Sequence, residues 1–131
     1  TIKGKRVVLV DDSIVRGTTS ARIVKLLRDA GAKEVHMRVS SPPFLNPCFY
    51  GTDIDSRDLL IACNHTHDEI AKIIGVDSLG YLNVDHLSML IGKQDCYCDA
   101  CFTSNYPTII PEDKPAKSRF EKKISESSQE E

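Results

Sequence analysis

Val7, Val8, Leu9 and Val10 form an unbroken apolar run that ends on a pair of acids, Asp11 and Asp12. A short run of this kind predicts a strand buried on both faces, as in a parallel sheet covered by helices. A small-residue polar loop follows. Ala21, Ile23, Val24, Leu27 and Ala30 then keep helical spacing, with Gly31 as a C-terminal stop. Residues 35–39 alternate apolar positions with His36 and Arg38, which predicts a second strand. Strand, loop, helix and strand in this order make a right-handed βαβ unit.

Ser40-Ser41-Pro42-Pro43 closes the second strand, and Pro47 stiffens the loop leading to Cys48. Helices are predicted over 56–62 and 66–74. Thr66-His67-Asp68-Glu69 reads as a capping box for the second of these, and Gly75 as its terminator. Residues 79–84 predict a further short strand, and 85–91 a helix closed by Gly92. Beyond Pro111 the only apolar residues are Ala116, Phe120 and Ile124, so 111–131 reads as a surface helix or a disordered tail. No internal repeat is present. The fold class is α/β.

At 131 residues the chain is long enough for one domain with a modest core. A net charge of −2 gives no reason to expect a nucleic-acid partner. No apolar stretch approaches the roughly 20 residues of a membrane span, and no signal-peptide pattern opens the chain. Thr1 is not an initiator methionine, and the first strand starts almost at once, so the chain is read as a piece of something longer. Five cysteines, an odd number, argue against a disulfide framework and for a cytoplasmic protein with free or metal-bound thiols.

The first candidate chemistry lies in the loop. A strand that runs through a polar loop into a helix N-terminus makes an anion site, because unpaired backbone N–H groups and the helix dipole converge there. Thr18, Thr19 and Ser20 add hydroxyl donors, Gly17 permits backbone that a side chain would block, and Arg16 can reach a phosphate. Two carboxylates repel phosphate, so Asp11 and Asp12 must serve a divalent cation or a sugar diol beside it. Phosphate, sugar and metal in one loop describe a phosphoribosyl group. An ordinary surface turn has no need of paired acids, a glycine and three hydroxyls together. Neither a Walker A loop nor a dinucleotide fingerprint is present.

The segment resembles the phosphoribosyl-pyrophosphate (PRPP) signature of type I phosphoribosyltransferases, whose fold is a Rossmann-like parallel sheet with flanking helices. The resemblance implies that Asp11 and Asp12 contact the ribose hydroxyls or sit beside Mg2+. It also implies that Ser13, Arg16, Gly17, Thr18, Thr19 and Ser20 belong to the loop around the 5′-phosphate.

The second candidate chemistry is the cysteine group. Cys98 and Cys101 form one Cys-x-x-Cys, Cys96 lies just before it, and Cys48 lies far upstream. On spacing alone this admits structural zinc, an iron–sulfur cluster, a redox pair or incidental thiols. Cys63, on the apolar stretch Leu60-Ile61-Ala62, reads as a small buried residue. The segments 41–53, with Asn-Pro-Cys-Phe-Tyr-Gly, and 98–108, with Cys-Asp-Ala-Cys-Phe-Thr-Ser-Asn-Tyr-Pro, resemble the glutamine PRPP amidotransferase family. So does Val-Asp-Asp-Ser-Ile-Val-Arg-Gly-Thr-Thr-Ser. These three motifs, in order, extend the resemblance over residues 1–110.

That resemblance implies an enzyme making 5-phosphoribosylamine from PRPP and glutamine-derived ammonia, the first step of purine biosynthesis, with purine nucleotides as inhibitors and a homo-oligomeric full enzyme. It implies a [4Fe–4S] cluster with Cys48, Cys98 and Cys101 as ligands, Cys96 being surplus and the fourth ligand lying upstream. The expected organisation is 1–92 as the C-terminal portion of a phosphoribosyltransferase domain, 93–110 as a helical or irregular cluster-binding segment, and 111–131 as a charged tail. With the glutaminase part absent, no catalytic residue is expected in this piece, which should be inactive alone. Tyr50 and Phe49 are expected to shield the cluster. The four histidines read as surface or cap residues, and Lys3, Lys5 and Arg6 as a solvated strand entrance. The loop alone would also suit another PRPP-binding transferase or a PRPP-sensing regulator. The cysteines alone would suit a small metal or iron–sulfur module.

Overall fold

The computed structural model describes residues 1–52, 54, 56–91 and 97–110. Three parallel strands in the order β1-β2-β3 form its sheet: β1 (Arg6–Asp11), β2 (Glu34–Val39) and β3 (Ser78–Tyr81). Arg6 pairs with Glu34 and Asp11 with Val39, and His36 pairs with Ser78 and Val39 with Tyr81. Five α-helices are described: α1 (Thr18–Asp29), α2 (Ile61–Asn64), α3 (His67–Ile74), α4 (Leu87–Ile91) and α5 (Ala100–Thr103). None is long and apolar enough to cross a membrane.

The pairing register puts Val35, Met37, Val39 and Leu79 on one face, where they meet Val24 of α1 and Ile70 and Ile74 of α3 in the main core. The α/β class and the βαβ unit therefore stand. The expected burial of β1 on both faces does not. Val8 is 64% and Val10 70% exposed, because β1 is an edge strand and both large helices pack on the core face. On the second face, polar side chains bind the strands together. Arg6 Nε donates to Glu34 Oε2 (2.7 Å), whose same oxygen meets His36 Nε2 (3.0 Å), while His36 Nδ1 meets Ser78 Oγ (2.9 Å).

The helix ends follow their local chemistry. Gly31 and Gly75 take left-handed φ of 87° just beyond α1 and at the cap of α3. Thr66 and Glu69 form the reciprocal capping box that the sequence predicts. The predicted helix over 56–62 is instead broken. Arg57–Leu59 is a 3-10 turn, Leu60 is extended and fully buried, and α2 starts only at Ile61. Leu60 is drawn out of the helix because it fills a second apolar cluster with Phe44, Cys48 and Ile54. The third strand stops at Tyr81, since Val84–His86 already winds into a 3-10 turn that leads into α4. Gly92, Cys96 and the tail from 111 lie outside the described residues.

Candidate functional site

The cleft sits where β1 ends and α1 begins, outside the carboxyl edge of the sheet, which is where open α/β sheets place ligands. Residues 11–20 alone line it, around a volume of about 430 Å3. Asp11 is the last residue of β1, and its carbonyl accepts from the N–H (2.9 Å) and hydroxyl (3.2 Å) of Ser40 just beyond β2. Asp11 Oδ1 accepts the N–H of Asp12 (3.0 Å), and Asp12 Oδ1 accepts from Ser13 Oγ (3.4 Å). The two carboxylates thus both line the cleft, linked through neighbouring hydrogen bonds.

The start of α1 also lines it. Gly17 occupies the N-cap with φ 78° and ψ −11°, a left-handed conformation that favours glycine. Its carbonyl accepts the first helical bond, from Ala21 N–H (2.9 Å), and no side chain caps the turn. The N–H groups of Thr18, Thr19 and Ser20 therefore have no partner within the helix, the condition for holding an anion. Thr18, Thr19 and Arg16 are exposed, so their donors reach the cleft, whereas Ser20 is buried. With no acid in the first turn of α1, nothing there opposes the positive end of the helix dipole.

What fixes the loop is apolar. Ile14 is buried in the main core, Val15 packs against the second cluster, and Gly17 is enclosed under Ile61. Ile14, Val15 and Gly17 thus anchor a loop whose Ser13 and Arg16 line the cleft.

The cysteines gather on the second cluster. Cys48 is buried there, with Cys63, Cys101 and Phe102 packed against it. Cys101 receives the Pro-Cys loop, its carbonyl accepting from the N–H groups of Leu45 (2.9 Å) and Asn46 (3.0 Å). Tyr106 Oη donates to the Pro47 carbonyl (2.8 Å), and the Phe49 and Tyr106 rings lie 5.1 Å apart. Burial opposes ionisation of Cys48, but the N–H groups of Tyr50, Thr52 and Gly51 outweigh it and hold the thiol down to about 7. Burial, and then the neighbouring Cys48 and Cys98, push Cys101 up to about 11. Cys48 lies in the second cluster and Cys101 packs against it, so two of the three expected ligands share one packing unit. Cys98 is exposed, and among the described residues no three His, Cys, Asp or Glu side chains are arranged around one metal position. Cys48, Cys98 and Cys101 supply soft sulfur donors, the donor type that iron–sulfur groups take.

The chain is 56% identical over 113 residues to the amidophosphoribosyltransferase of Archaeoglobus fulgidus, a match covering 84% of this chain and 25% of that protein. It is 54% identical over 117 residues to that of Bacillus subtilis, covering 86% and 25%. No family model matches. Among solved structures, the B. subtilis glutamine PRPP amidotransferase in complex with ADP and GMP superposes with a TM-score of 0.79 at 51% identity. That superposition covers 88% of this chain and 27% of the other. A structure described as the allosteric regulatory enzyme of purine biosynthesis gives 0.83 at 50% identity, covering 95% and 28%. Over this stretch the chain is homologous to the amidophosphoribosyltransferases. It spans about a quarter of the length of the curated amidophosphoribosyltransferases it matches.

The structure brings Asp11, Asp12, Ser13, Arg16, Gly17, Thr18, Thr19 and Ser20 together around one cleft, with Ser20 buried. Cys63 is only partly buried; it packs against the second cluster, and its Sγ donates to the Leu45 carbonyl (3.2 Å), so it also braces the Pro-Cys loop. Sequence reasoning missed Ile14, Val15 and Ile61 as the parts that hold the loop. The Ile-Val pair inside a polar loop was the available signal for the first two. Nothing local pointed to Ile61.

Proposed function

We propose that this segment carries the ribose-5-phosphate half of a PRPP site in an enzyme that makes 5-phosphoribosylamine from PRPP and glutamine, the first step of purine biosynthesis. The observation that carries the reading is that the uncapped start of α1, with the Thr18 and Thr19 hydroxyls, and the carboxylates of Asp11 and Asp12 line one cleft. The helix start complements a 5′-phosphate, with Arg16 adding charge beside it. The carboxylates of Asp11 and Asp12 accept from ribose hydroxyls and would hold Mg2+ near them. Bound there, Mg2+ would offset the charge of the departing pyrophosphate.

The chemistry asks for no general base here, because the nucleophile is ammonia released from glutamine. The task of these residues is to fix the sugar so that C1 faces the incoming amine. The same loop suits the 5′-phosphate of a purine nucleotide, in keeping with the ADP and GMP in the B. subtilis structure, and so predicts inhibition competitive with PRPP. Cys48, Cys98 and Cys101 would hold a [4Fe–4S] cluster that ties the Pro-Cys loop to α5. A homo-oligomeric cytoplasmic enzyme completes the reading.

The test is the double substitution Asp11→Asn with Asp12→Asn in the intact enzyme, which preserves shape and removes charge. Phosphoribosyl transfer should be lost while glutamine hydrolysis is largely kept. Unchanged steady-state kinetics with PRPP would overturn the assignment of the cleft.

A further inference from the structure

Two contacts from one distant residue bracket the loop. The N–H of Ile61 donates to the Val15 carbonyl (2.9 Å), and its Cδ1 lies where a Cβ at position 17 would fall, 2.7 Å away. Ile61 is 6% exposed, so this contact is fixed by packing. The break in the predicted helix over 56–62 explains how it is made. In an unbroken α-helix the Ile61 N–H would donate to the Arg57 carbonyl. Leu60 is extended instead, Arg57 accepts from Leu60 (3.0 Å), and the Ile61 donor is released toward the loop.

We infer that Ile61 is a positioning residue for the phosphate-binding loop, its N–H holding Val15 and its terminal methyl seating Gly17. Residues 15 and 17 are thereby pinned on either side of Arg16, which sets where its guanidinium starts and how the first turn of α1 aims at the cleft. The methyl also reinforces the requirement for glycine at 17, where left-handed φ already disfavours a side chain. The inference rests on reading the cleft as a ribose-phosphate site.

The experiment is calorimetric titration of the intact protein with ribose 5-phosphate. The variants are Ile61→Val, Ile70→Val, Gly17→Ala and the Gly17→Ala/Ile61→Val pair, with a thermal melt of each. Ile61→Val removes only the methyl that meets Gly17. Ile70 is 2% exposed in the same core and lines no part of the cleft, so the same truncation there reports stability alone. Ile61→Val should weaken binding about threefold or more while Ile70→Val leaves it unchanged. Gly17→Ala should weaken it further, and adding Ile61→Val should restore part of the loss by opening the space the new Cβ needs. Equal effects of the two isoleucine truncations, or no recovery in the double variant, would overturn the positioning role and leave the site reading intact. Binding that survives Gly17→Ala unchanged would overturn the site reading and this inference with it.

Discussion

Cys48 and Cys101 shift in opposite directions although both pack at the second apolar cluster. Three backbone N–H groups converge on Cys48, while burial dominates at Cys101. In the metal-free chain, ultraviolet thiolate absorbance should therefore show a step near pH 7 that Cys48→Ala abolishes, with Cys101 still a thiol. The linkage has opposite signs at the two sites. Cys48 falls from the usual 9.0 to about 7, so its contribution to stability is present above pH 9 and is lost as pH falls through 7. Cys101 rises to about 11, so its contribution is present below pH 9 and lost as pH rises through 11. Much of the candidate cleft's lining was legible at this scale. Asp11, Asp12, Gly17 and Thr18 announce themselves because each supplies a chemical group or a backbone freedom that its neighbours lack. Ile61 does not, since its role exists only after residues distant in sequence have packed together.

At the scale of elements, α3 was the most legible. Its start and stop are written in residues that act on their own backbone, Thr66 with Glu69 at one end and Gly75 at the other. The 56–62 segment was misread for the opposite reason: the pull on Leu60 comes from Phe44 and Ile54, outside the window of any helical pattern. One residue binds several elements at once. Asp77 Oδ2 accepts from Val35 N–H (2.6 Å) in β2 and from Arg28 Nη2 (2.7 Å) in α1. The Val35 N–H, and then Arg28, hold this carboxyl below the usual range. Its contribution to stability is present at neutral pH and disappears as acidification carries the solution through that lowered pKa. Asp77→Ala should lower the melting temperature at pH 7, followed by circular dichroism. The difference from wild type should shrink in acid; a constant difference would argue against a charge effect.

For the whole molecule, the sheet and its helices followed from hydrophobic periodicity, but the bare face of β1 did not. An apolar run states that a strand is shielded without stating by what, and within this chain Val8 and Val10 are exposed. The cysteine segment is likewise a matter of assembly. In the intact enzyme, Cys48→Ser, Cys98→Ser and Cys101→Ser should each lower iron content and thermal stability together, because one cluster would join the Pro-Cys loop to α5. Cys63→Ala should leave iron unchanged, and iron retained in all three serine variants would remove the cluster from this segment. The placement of Val15 carries this further. Ile14 stands in the main core and Val15 packs against the cysteine-bearing cluster, so the loop between β1 and α1 straddles two packing units. A fluctuation that opens the second unit takes away one of the loop's two footings. Its amides and those of the Pro-Cys loop would then share one opening free energy, a single cooperative unit of local unfolding that spans both chemistries.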